Sequence, residues 1–218
     1  MTQKAARIRQ EMKAPRTAAV AGILFSFFAI SSFLLFRISV SPNPLSQPTG
    51  MIHHPKTISL ALYLLPFAGI AFLWFMGVIR NRLGEYEDRF FATVFLGSGL
   101  LFVAMIFTGA AEMQGIITVL GRERAGLIQL GSYDLGRADA HQTMNIYAAR
   151  MAGVFMMATC TITRKTRTLP RWITSLGYAL ALILLLSIGK IEWFFLIFPL
   201  WVLIMSGYML MEDLRRTV

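Results

Sequence analysis

Thr17-Ala-Ala-Val-Ala-Gly-Ile-Leu-Phe-Ser-Phe-Phe-Ala-Ile-Ser-Ser-Phe-Leu-Leu-Phe36 runs for twenty residues without a charge. That matches the roughly 20 apolar residues a helix needs to cross the hydrocarbon core of a bilayer. The stretch ends at Arg37 with no small-x-small cleavage pattern, so it reads as a retained first span and not as a removable leader. Five more runs follow the same rule: Ile58 to Ile79, Phe90 to Ala111, Met144 to Thr163, Trp172 to Ile188 and Glu192 to Met211. Every backbone donor and acceptor in lipid must be satisfied within the segment, which leaves the helix as the form for such runs. The expectation is an all-α polytopic membrane protein of six transmembrane helices. It has a basic segment at 1–16, a membrane domain at 17–211 and a short tail at 212–218.

Composition agrees. Apolar residues make up 56% of the chain, charged residues only 15%, and the mean hydropathy is +0.61, against about a quarter charged in a soluble domain. The net charge of +10 does not point to nucleic acid, because the cations lie in short clusters beside apolar runs and not along one face interleaved with aromatics.

Those clusters set an orientation. Lys4, Arg7, Arg9, Lys13, Arg16, Arg80, Arg82, Arg89, Arg164, Lys165, Arg167, Arg171, Arg215 and Arg216 would share one side. Arg37, Lys56, Arg122, Arg124, Arg137 and Lys190 would share the other, and Arg150 falls within a span. Cations beside span ends are retained in the cytoplasm, so both termini are expected inside. An even number of spans agrees with that. The expected location is then a membrane whose inner face meets the cytoplasm, with membrane lipids as partners and a second copy or another membrane protein as a possible neighbour.

Along the connections, Pro42, Pro44, Pro48 and Pro55 deny helix to the first outer loop. Residues 1–16 fit either a short amphipathic helix on the inner leaflet or a frayed tail. The connection from Glu112 to Thr143 divides in two. Gly115 to Leu130 suggests a helix lying in the interface, and the polar, turn-rich Gly131 to His141 suggests an irregular outer surface. The fifth and sixth spans, joined across Gly189 and Lys190, should form an antiparallel hairpin. Ala18, Gly22 and Ser26, and again Ala149 and Gly153, recur every four residues and permit close helix approach.

The fourth span carries the chemistry-bearing residues. Asn145, Tyr147, Arg150, Thr159, Cys160, Thr161 and Thr163 fall on more than one of its faces, so it should be the most enclosed helix. Arg150 on a lipid face would cost a few kcal/mol. It therefore calls for a partner: Glu112, Glu192 or Asp139. An ion pair or outward snorkelling is the structural reading, and an anion or headgroup contact the functional one. His53, His54 and His141 fall on the outer side with Asp134, Asp139 and Glu112, a donor set that suits a metal but lacks ligand spacing such as an i, i+4 histidine pair. A haem between helices would need histidines inside the spans, and none has one. No cofactor is called for. Cys160 is the lone cysteine, which rules out an intrachain disulfide.

The stretch Arg82-Leu-Gly-Glu-Tyr-Glu-Asp-Arg-Phe-Phe-Ala-Thr-Val-Phe-Leu-Gly-Ser-Gly-Leu-Leu-Phe-Val-Ala-Met105, a charged elbow running into Phe-Phe-Ala-Thr, resembles a group of small multi-pass proteins of bacterial inner membranes. Leu169-Pro-Arg-Trp172 is similar to helix starts in such families. The resemblance implies a location and brings no activity or site residue with it. Three functions fit these residues: a non-catalytic subunit, scaffold or lipid-contacting module; a small transporter or channel with a polar cavity around Arg150; and an intramembrane enzyme using the outer histidines and acids.

Overall fold

A computed structural model describes residues 2–39, 55–83, 89–122, 132–186 and 195–216. Among them every regular element is helical: α1 (Thr2–Ser39), α2 (Pro55–Leu83), α3 (Arg89–Arg122), α4 (Ser132–Gln142), a π-helical turn (Thr143–Ala148), α5 (Ala149–Thr166), α6 (Arg171–Leu186) and α7 (Ile197–Arg216). Helix α4 passes through the π turn into α5 without a break in the chain's helical course. Five helices are long and apolar enough to cross a membrane, over Arg16–Ser39, Lys56–Arg80, Phe90–Thr118, Ala138–Thr166 and Ile197–Arg215. Helix α6, with 16 described residues, is a shorter apolar helix.

Side-chain contacts give the direction of each neighbour. Arg16 meets Asp213, Ser26 meets Pro199 and Phe33 stacks on Phe195, so α1 and α7 are antiparallel and in continuous register. Ser32 to Ala61 and Phe25 to Phe72 set α2 antiparallel to α1. Phe72 to Phe102 does the same for α3, with Gly99 against Met76. Phe95 to Phe155 sets α5 against α3, and Thr161 to Tyr178 sets α6 against α5. The helices thus form a ring in chain order that closes where α7 packs on α1. The thinnest seam is between α6 and α7, which meet around Gly177 and Trp201.

The small residues place these approaches. A Cβ on Gly22 would strike Ser206 Oγ, and one on Gly153 would lie 3.1 Å from the Ala181 carbonyl. The Ala18-Gly22-Ser26 and Ala149-Gly153 faces are therefore used within the chain. The fourth span is the most enclosed, with 61% of its window buried against 33 to 50% for the other four, as its scattered polar residues require. The bend into α6 is sharp because Arg167 adopts a left-handed conformation at φ 52° and caps α5, its N–H donating to the Thr163 carbonyl. Pro170 then precedes the first turn of α6, as expected of a residue with preset φ.

Several expected boundaries move. Helix α1 continues back to Thr2, so the basic segment is the first turns of that helix and not a frayed tail. The third span does not stop at Ala111. Helix α3 runs on to Arg122 and replaces the first half of the anticipated interfacial helix. Nor is Ser132 to His141 an irregular surface, because it forms α4 and packs back on α3, with Ala140 fully buried and Gly136 against Ile116. The proline-rich outer loop, the elbow at 84–88, residues 123–131 and the turn at Gly189-Lys190 lie outside the described residues.

Candidate functional site

Any site inside the ring would need polar groups facing its axis. The axis is filled with phenyl rings: Phe25 of α1, Phe72 of α2, Phe102 of α3, Phe155 of α5 and Phe198 of α7 form one cluster. Its centroid separations include 5.0 Å for Phe25–Phe72, 5.2 Å for Phe72–Phe102, 5.0 Å for Phe72–Phe155, 4.9 Å for Phe102–Phe198 and 5.8 Å for Phe155–Phe198. Most of these pairs are edge-to-face, the arrangement the ring quadrupole prefers. Beside the cluster lies a cavity of about 20 Å³ lined by Ala29, Leu65, Val103, Ala152, Leu184 and Pro199 among other apolar residues. That is room for about one water, against a lining that is almost wholly apolar.

Buried hydroxyls are spent on the helices. Ser26 Oγ donates to the Gly22 and Pro199 carbonyls at 2.8 Å each, and Ser32 Oγ donates to Ala61 at 2.7 Å. Thr159 and Thr163 donate back to Phe155 and Thr159 at 2.7 and 2.8 Å. Such bonds satisfy polar groups that water cannot reach. The Ser26 bond is also why Pro199 is held where α7 crosses α1.

Arg150 is not enclosed with these groups. It is exposed on the outward stripe of α5 that also carries Tyr147, itself 53% exposed, and it makes no hydrogen bond or ion pair with any described residue. The expected partner Glu112 lies elsewhere. On α3 it is level with α4, and its Oε2 is buried without a hydrogen-bond partner among the described residues. Arg150 lies about ten residues further along the rod, about 15 Å at the α-helical rise. The helical hairpin explains the separation. It extends α3 upward and pairs Glu112 with α4, not with α5. Asn145 donates through Nδ2 to the His141 carbonyl at 3.1 Å, a bond local to the π turn. Glu192, His53 and His54 lie outside the described residues. His141 is exposed, and among the described residues no three His, Cys, Asp or Glu side chains converge as metal ligands.

Sequence reasoning missed the packing of α3 on α4, which sets Glu112 beside α4 and depends on both helices running past the apolar stretch. It also missed Trp201 Nε1 and Ser206 Oγ, two buried polar atoms with no hydrogen-bond partner among the described residues. Cys160 is buried beside Gly177 on the α5–α6 face. The fold and site therefore define an all-helical protein with five helices long and apolar enough to cross a membrane, closed at its axis. Comparison with protein-family models, curated proteins and solved structures gives no match.

Proposed function

We propose that the chain is a six-span protein of the bacterial cytoplasmic membrane, both termini inside, that acts through lateral packing and lipid contact as a subunit or scaffold without turnover of its own. The five-phenylalanine plug carries this reading, since a transport path needs polar groups along the axis and the groups there are rings. Inside termini are supported by the cationic clusters at one end of the ring and by the Arg16–Asp213 contact, which brings the two chain ends to that same end. The fifth of the six spans in this reading is α6 (Arg171–Leu186), the shorter apolar helix.

Transport is the reading to test against. In proteoliposomes loaded with an anion-sensitive dye, flux of chloride, nitrate or phosphate should not exceed that of protein-free vesicles. A saturable flux that Arg150→Gln abolishes would replace the scaffold reading with a transporter.

A further inference from the structure

Arg150 presents a cation on the membrane-facing flank of a spanning helix. In the hydrocarbon an unneutralised guanidinium is strongly disfavoured, and no described residue neutralises it. Its surroundings say what would. In a helix the Cα–Cβ bonds tilt toward the N-terminal end, and α5 runs from the α4 end toward the cationic end, so the side chain leans toward the outer leaflet. Arg150 lies five residues before Phe155, on the α4 side of the central phenyl cluster, and a long arginine there snorkels toward the nearer interface. Tyr147 stands one turn above on the same exposed stripe, and a phenol there is one further hydrogen-bond donor. Gly153 packs on Ala181 and Leu184, which brings Arg150 beside the outer end of α6, where Leu186 is 77% exposed. Below Arg150, the partly buried Val154 and Met157 continue the stripe as an apolar track.

We propose that Arg150 and Tyr147 seat the phosphodiester of one outer-leaflet phospholipid on the flank of α5, with an acyl chain along Val154 and Met157. A guanidinium can donate two parallel hydrogen bonds to a phosphate, and the tyrosine hydroxyl adds a third. The ligand is a lipid phosphate and not a free anion, because the stripe faces the bilayer and not the cavity at the axis. The inference rests on the membrane-scaffold reading and supplies its lipid-contacting element.

The test is native mass spectrometry of the purified full chain, offered phosphatidylglycerol or a phosphate-free galactolipid with the same acyl chains. Wild-type protein should retain phosphatidylglycerol about tenfold better than the galactolipid, the worth of roughly one charge-assisted contact. Arg150→Gln should abolish that preference, Tyr147→Phe should weaken it, and Arg150→Lys should keep part of it. If Arg150→Gln fails to fold, the other two variants decide the matter. Equal retention of the galactolipid by wild type, or an undiminished preference in Arg150→Gln, overturns the proposal. So does displacement by millimolar inorganic phosphate, which would make this a site for a free anion. A dimer that dissociates in Arg150→Gln with the lipid count unchanged would assign the cation to a partner chain's acid. Anion flux in proteoliposomes, in contrast, would overturn the scaffold reading whatever lipid is bound.

Discussion

Arg16 Nε donates to Asp213 Oδ2 at 2.6 Å, so the entry to the first span and the exit from the last stand side by side. The contact closes the ring by joining α1 to α7 across nearly the whole length of the chain. As a source of stability it is minor. The arginine is half exposed, and pairs of that kind contribute from zero to about 1 kcal/mol. Asp213→Asn should therefore lower the unfolding free energy by no more than about 1 kcal/mol, less at high salt. A larger loss in a detergent-solubilised melt would mean that the burial of Asp213, 13% exposed, outweighs the exposure of Arg16.

In the proposed topology that contact puts both ends of the chain on one side of the membrane. Because Cys160 is buried, a Cys160→Ser background removes little and leaves a clean reporter. Cysteines introduced singly at Thr2 and Arg216 should both resist a membrane-impermeant maleimide in intact cells and both react in inverted vesicles. One site labelled in intact cells and the other protected would mean an odd number of crossings.

Phe72 touches the rings of Phe25, Phe102, Phe155 and Phe198, and it is fully buried. Phe72→Ala should cost about 3–5 kcal/mol, from lost dispersion contacts and the cavity left behind. Trp74, on the same helix and 71% exposed, supplies the contrast. Trp74→Ala should change stability by less than about 0.5 kcal/mol. Equal effects of the two substitutions in chemical denaturation would show that the phenyl cluster is not the centre of the packing.

Hydropathy made five long apolar helices legible, because in lipid the backbone leaves no alternative to helix. It could not find where helices stop outside the hydrocarbon. Gly131, Ser132, Asp134 and Gly136 are turn formers by local preference, yet Ser132–Gln142 is helical because Gly136 lets α4 settle on Ile116 and Ala140 is buried. Tertiary packing overrode propensity there. The same extension moved Glu112 away from Arg150, a contact between helices that no single-helix periodicity encodes. The wheel of the fourth span was legible only as mixed. It gave enclosure for Thr159 and Thr163, and it could not say that Arg150 takes the outward side.

Glycines in the spans divide by what a methyl group would meet. At Gly153 a Cβ would lie 3.0 Å from Leu185 Cγ and 3.1 Å from the Ala181 carbonyl, and the backbone cannot yield as a side-chain tip can. Gly153→Ala should destabilise by about 1–3 kcal/mol through overpacking. At Gly97 nothing lies within 4 Å, so Gly97→Ala should be neutral or gain about 0.5–1 kcal/mol from helix propensity. Thermal melts of the two variants side by side decide this. A destabilised Gly97→Ala would mean that another chain packs on that face of α3.

The outer connection offers the sharpest test of the fold, because two arrangements of the same residues differ in one contact. If Gly115 to Leu130 lay flat in the interface, position 116 would point along the membrane, away from position 136. In the hairpin, a Cβ at position 136 stands 3.2 Å from Ile116 Cγ1. Replacing the larger isoleucine by cysteine frees the volume that a side chain at 136 needs, so the pair Ile116→Cys and Gly136→Cys can be accommodated without moving α4. In the Cys160→Ser background this pair should form a disulfide under mild oxidation, read as a mobility shift that a reductant reverses after proteolysis between the two sites. Each single variant should fail to do so within the chain. Absence of the crosslink in a folded double variant would return the outer connection to an interfacial helix and restore Glu112 as a candidate partner for Arg150.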